Sequence, residues 1–183
     1  WWWDIDPNNL TDYLEPNGAI NSDSNYTQST SGTGITISHA YTQPGLYYIL
    51  QQMVTGPIPP CMYEYSNTEI DSIIIYPEPN VYFSDSINSE ACLNDTVTFY
   101  TLSGIPNLPS LVGITAQAIS GVTWEVTTPD LTTSVYIPNN YSDPLQIPVN
   151  QAGTWDITLI VETNTGCSNS YSSSIVVYDL PQP

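Results

Sequence analysis

Along much of this chain, apolar and polar residues change places every second position. The clearest case runs from Thr154 to Val161, where Trp155, Ile157, Leu159 and Val161 alternate with Thr154, Asp156 and Thr158. In an extended strand, this spacing sends one set of side chains to a core and the other to water. Shorter stretches rich in Val, Ile, Thr and Tyr predict further strands at 80–85, 96–101, 121–127, 132–137, 145–149 and 172–178, with the clearest strand taken as 154–161. The 16 prolines and 10 glycines fall between these stretches and mark short turns. Seven short strands within about 100 residues predict a two-sheet sandwich.

Comparison of the chain with itself reveals an internal repeat. Residues 40–50, with Gln43, Gly45 and Tyr47, parallel residues 149–159, with Gln151, Gly153 and Trp155. A polar turn containing Gly and Cys follows each copy, with Gly56 and Cys61 in the first and Gly166 and Cys167 in the second. Each copy then closes on an apolar strand and a proline-bearing exit, Ile73 to Pro79 and Ile175 to Pro181. The offsets between matched residues drift by only a few positions, as loop-length changes produce. The repeat predicts two domains, 1–77 and 78–179, with 180–183 leading to a following domain and prolines stiffening the joint near residue 78. If Trp3 matches Trp124, the first domain lacks the strands that should precede its tryptophan. Truncation, or a strand donated to the open edge, would account for that.

Charge narrows the partners. The 183 residues include no lysine and no arginine against 18 acidic side chains, a formal net charge of -18. Nucleic acid is excluded as a partner, because phosphate contacts draw on Lys and Arg. Anionic membrane surfaces are disfavoured for the same reason. No apolar run approaches the roughly 18 residues of a membrane span, so direct membrane insertion is not expected. Aromatic and β-branched content argues for a folded acidic surface rather than a disordered tail.

The stretch from Ser38 to Tyr47, with His39, Tyr41, Pro44, Gly45 and Tyr47, resembles the H-x-Y-x-x-P-G-x-Y core of PKD domains, which are immunoglobulin-like sandwiches. Trp3-Asp4-Ile5-Asp6 is loosely similar to that family's W-D-F-G-D-G turn, and the second domain keeps the G-x-W strand and Trp124. With a cysteine just past a glycine and a strand ending in Tyr-x-x-Pro, the chain resembles the tandem arrays of very large Bacteroidota surface proteins. Such proteins are exported by the type nine secretion system and include gliding-motility adhesins. The resemblance implies an extracellular, cell-surface stalk or adhesion module without catalysis. The alternative it leaves is a non-catalytic accessory domain of a secreted hydrolase.

Candidate chemistry is sparse. In an exported chain, three cysteines suggest one disulfide and one cysteine left over. The expected pair is Cys92 with Cys167, leaving Cys61 unpaired because its partner would precede Trp1. His39, the single histidine, has no nucleophile or orienting partner at a recognised spacing, and its position in the resembled family is structural. Calcium is the natural counter-ion of an acid-only surface, and Asp4 and Asp6 in the turn after Trp3 are the candidate ligands, against the plainer reading of solvated charge. Asp71-Ser72-Ile73, Asp85-Ser86-Ile87 and Asp95-Thr96-Val97 resemble the O-glycosylation signal of exported Bacteroidota proteins, making Ser72, Ser86 and Thr96 candidate acceptors. Expected partners are neighbouring domains of the same chain and surface polysaccharide or protein ligands. Trp124 and Trp155 are expected in the core.

Overall fold

A computed structural model describes residues 2–3, 38–55, 65–107 and 116–181. The chain divides into two compact units, Trp1–Ile75 and Tyr76–Pro183. All regular structure among the described residues is β-strand.

In the first unit, β1 (Trp2–Trp3), β2 (Gly45–Thr55) and β3 (Tyr65–Ile75) form a sheet in the order β1-β2-β3. The long hairpin β2–β3 is antiparallel and runs in unbroken register from Gly45 opposite Ile75 to Thr55 opposite Tyr65. Ahead of it, the ring of His39 packs edge-on against Tyr41 at 4.7 Å, and Tyr41 lies tilted against Tyr47 at 4.3 Å. The histidine motif is therefore an aromatic stack that fixes how the chain enters β2.

The second unit is an immunoglobulin-like sandwich. Its strands are β4 (Phe83–Asp85), β5 (Glu90–Cys92), β6 (Thr96–Thr101), β7 (Ile119–Thr127), β8 (Thr133–Tyr136), β9 (Leu145–Pro148), β10 (Gly153–Thr163) and β11 (Ser168–Tyr178). One sheet runs β5-β11-β10-β7-β8 and the other β4-β6-β9. These are the two sheets of the immunoglobulin arrangement, with one edge strand fewer in the smaller sheet. Every pairing is antiparallel except that of β5 with β11, where Val176, Val177 and Tyr178 lie opposite Glu90, Ala91 and Cys92.

The two inner faces bury an aromatic centre. Phe83 and Phe99 of the smaller sheet meet Trp124 of the larger at ring distances of 5.2 and 6.1 Å, and Trp124 is fully buried. Val97, Leu159, Val161 and Val177 fill the space around them. Each such side chain contributes about 1.5–3 kcal/mol relative to exposure. The alternation that announced β10 is realised, with Trp155, Ile157, Leu159 and Val161 buried and Asp156 exposed.

β6 coincides with the predicted 96–101, and β7, β8, β9, β10 and β11 differ from prediction only at their ends. β5 had no counterpart in the sequence reading. It has three residues with one buried, Ala91, and such a segment holds too little alternation to read. The match of Trp3 with Trp124 is displaced by two positions. Trp3 lies opposite Ile49, four residues after Gly45, whereas the residue four after Gly153 is Ile157, whose partner is Val126.

The expected disulfide is contradicted. Cys92 and Cys167 are both free thiols. Cys92 sits opposite Tyr178 at the end of β11, and Cys167 precedes Ser168 at its beginning. Eleven residues of strand separate these ends, roughly 35 Å. A disulfide needs Cα atoms within about 4.4–6.8 Å. Cys61, Asp4 and Asp6 lie outside the described residues.

Candidate functional site

Three local constructions in the second unit, one of them shared with the first, carry the side chains that sequence reasoning singled out or passed over.

The first is a corner at the start of β10. Trp155 donates its indole N–H to the carbonyl oxygen of Gln151 at 3.0 Å. The Gln151 amide in turn donates to Asp130 at 3.4 Å, in the hairpin between β7 and β8. Asp130 also accepts from the Thr128 hydroxyl and from the Thr132 backbone N–H. These bonds, that from Thr128 foremost, lower its pKa to about 2 although it is exposed. Gly153 completes the corner at φ +128°, and a Cβ there would lie 3.0 Å from Pro129. In the first unit, Tyr47 donates its hydroxyl to the Gln43 carbonyl at 2.7 Å, the same aromatic-to-backbone step four residues upstream. Both resemble in geometry the tyrosine corner of immunoglobulin sandwiches.

The second construction holds the segment that leads into the second unit. The Gln117 amide donates to the Pro77 carbonyl at 2.9 Å and to Thr165 at 3.0 Å, and Asn169 donates to the Pro79 carbonyl at 3.1 Å. Pro77 and Pro79 are buried. Buried carbonyls need such donors, and proline leaves its own nitrogen without one to offer. No signal in the sequence marked Gln117 for this role, because its acceptors lie in segments distant along the chain.

The third is a groove on the open side of the sandwich. β8 is the edge of the larger sheet and β9 the edge of the smaller, and residues 137–144 cross between them. This crossing encloses two adjoining depressions of about 440 and 280 Å³, which share Ile137, Pro138 and Asn139. Tyr136 lines the larger and Tyr141 the smaller; they are 39% and 56% exposed. Tyr136 lies opposite Trp124 across the β7–β8 ladder, so both project from one face. Trp124 also lines the larger depression, and its buried Nε1 has no hydrogen-bond partner among the described residues. Asp143 accepts from the backbone N–H of Asn140 at 3.0 Å, closing the crossing into a turn flanked by Pro138 and Pro144.

The predicted sites are dispersed. Ser72, Ser86 and Thr96 are all exposed, on β3, after β4 and at the start of β6. The Ser86 hydroxyl accepts from the backbone N–H of Thr98 at 3.1 Å. Among the described residues, no three His, Cys, Asp or Glu side chains gather as a metal site would require, and no helix is long and apolar enough to cross a membrane.

No family model matches this chain, and no curated protein does. Among solved structures, it is similar to a carbohydrate-binding module from the beta-sandwich superfamily at 18% identity and a TM-score of 0.44. That match covers 57% of this chain and only 36% of the module's chain, so this chain spans about a third of that structure's length. It is also similar to the PKD domain of a human VPS10 domain-containing receptor, at 11% identity and a TM-score of 0.32, covering 90% of this chain and 98% of that one.

Proposed function

We propose that this chain is a non-catalytic structural and adhesive module, two sandwich repeats in the extracellular stalk of a large cell-surface protein. One observation carries the reading. The same corner opens β2 and β10, with Gln43 and Tyr47 in one unit and Gln151 and Trp155 in the other. Gly45 stands opposite Ile75 and Gly153 opposite Val177, so both hairpins start from one register. A duplicated unit of this kind is how a chain gains length and presents surface repeatedly. The acid-only surface suits an exterior that must stay soluble and resist self-association.

The resemblance of the His39 to Tyr47 motif to PKD domains extends the proposal to Bacteroidota surface proteins exported by the type nine system, including gliding adhesins. Ser72, Ser86 and Thr96 then serve as glycan acceptors at exposed positions in or beside strands. Antibody raised against the recombinant chain is the direct test. It should label intact source cells and block their attachment to the surfaces they colonise. Labelling only of permeabilised cells sinks the surface assignment, and a hydrolytic activity of the purified chain sinks the non-catalytic one.

A further inference from the structure

We infer that the groove between β8 and β9 binds a neutral, hydroxyl-rich glycan, with Tyr136 and Tyr141 as stacking faces and Asn139 as the polar contact between them. This rests on the adhesive reading above and assigns it a site.

Tyr136 and Tyr141 stand one in each of two depressions that share the Ile137–Asn139 wall, so the spacing suits a ligand of at least two rings. A sugar ring presents an apolar C–H face and an equatorial set of hydroxyls. It therefore asks for an aromatic face and for side chains that both donate and accept. Asn139 supplies both, and its amide makes no hydrogen bond among the described residues. Ser120 lines the smaller depression and Asp143 the larger. The Asn140–Asp143 turn and the two prolines hold this wall in shape before any ligand arrives, which lowers the cost of binding.

Charge selects among occupants. With no Lys or Arg in the chain, an acidic polysaccharide or phosphate would find no cation here. A second copy would bring another -18 of charge to the interface. A neutral glycan meets neither obstacle.

The test uses the whole chain against immobilised neutral polysaccharides (a mannan, a β-glucan and a galactan), with heparin as the anionic control. At least one neutral polysaccharide should bind and heparin should not. Tyr136→Ala and Asn139→Ala should each weaken that binding about tenfold or more, with thermal unfolding unchanged. Tyr100→Ala, which removes an exposed ring from the smaller sheet, should leave it intact. Glycan binding that survives both groove substitutions overturns the site while leaving the adhesive reading in place. Binding of a basic extended peptide, lost on Tyr136→Ala, with no glycan bound, overturns the ligand class. Binding neither to glycans nor to source-cell surfaces overturns both proposals together.

Discussion

Trp155 and Gln151 form the joint on which the second unit turns from β9 into β10, the indole N–H meeting the carbonyl oxygen at 3.0 Å. Trp155 is buried, so removing its donor leaves a carbonyl without its partner. Trp155→Phe should lower stability by about 1–3 kcal/mol, combining the lost hydrogen bond with lost ring volume. Tyr47→Phe removes the matching bond from a half-exposed ring and should cost only about 0.5–1 kcal/mol. Urea unfolding followed by circular dichroism measures both. Equal effects would mean that the two corners do not differ in burial as described.

Gly153 and Gly45 stand at matching places but face different constraints. Gly153 has φ +128° and only 3.0 Å to Pro129, whereas a Cβ on Gly45 would meet the Tyr47 ring at an ordinary 3.4 Å. Gly153→Ala should therefore destabilise by about 1–3 kcal/mol, and Gly45→Ala by less than about 1 kcal/mol. The same unfolding experiment separates them.

Leu131 occupies a left-handed conformation, φ 66°, in the hairpin between β7 and β8, with 84% of its surface exposed. A branched side chain there adds backbone strain and gains no burial. Leu131→Asn should raise stability by about 0.5–1 kcal/mol, seen as a higher melting temperature. A lower one would show that the exposed leucine makes a stabilising contact.

Asp130 titrates near 2 in the folded protein against an ordinary 3.8. A depressed folded pKa means that its contribution is complete above about pH 4 and disappears as pH falls through about 2. Between those limits, the wild-type protein should lose more melting temperature than Asp130→Asn does. Parallel curves for the two proteins would show that the carboxylate's hydrogen bonds add nothing to folding.

Cys92 is exposed and Cys167 half-buried, with both thiols free. Iodoacetamide under native, non-reducing conditions should alkylate Cys92 first and Cys167 more slowly, as peptide mass spectrometry would read. Resistance of both until a reductant is added would restore the disulfide that the fold excludes.

What could be read in the sequence was whatever a single strand declares on its own. β10 and β6 were legible because Trp155 to Val161 alternate and because Thr96 to Thr101 are bounded by turn residues. Pairings that depend on distant segments were not. The separation of Cys92 from Cys167 is set by the length and direction of β11, which no local pattern encodes. The groove was equally hidden: Tyr136, Asn139 and Tyr141 belong to a crossing whose path depends on both sheets. The corner lay between these cases. The repeated Gln-x-Gly-x-aromatic pattern was visible, while the bond from ring to backbone emerged only with coordinates.

The parallel pairing of β5 with β11 decides how the second unit answers tension. The chain arrives ahead of β5 and departs beyond β11, so a pull on the two ends slides these strands past one another lengthwise. The bonds from Val176 to Ser89 and from Leu93 to Tyr178 are then loaded together. The rungs of the antiparallel β10–β11 hairpin differ, since a pull across its open end would break them in succession. A few short rungs loaded side by side give the unit resistance to traction beyond their number.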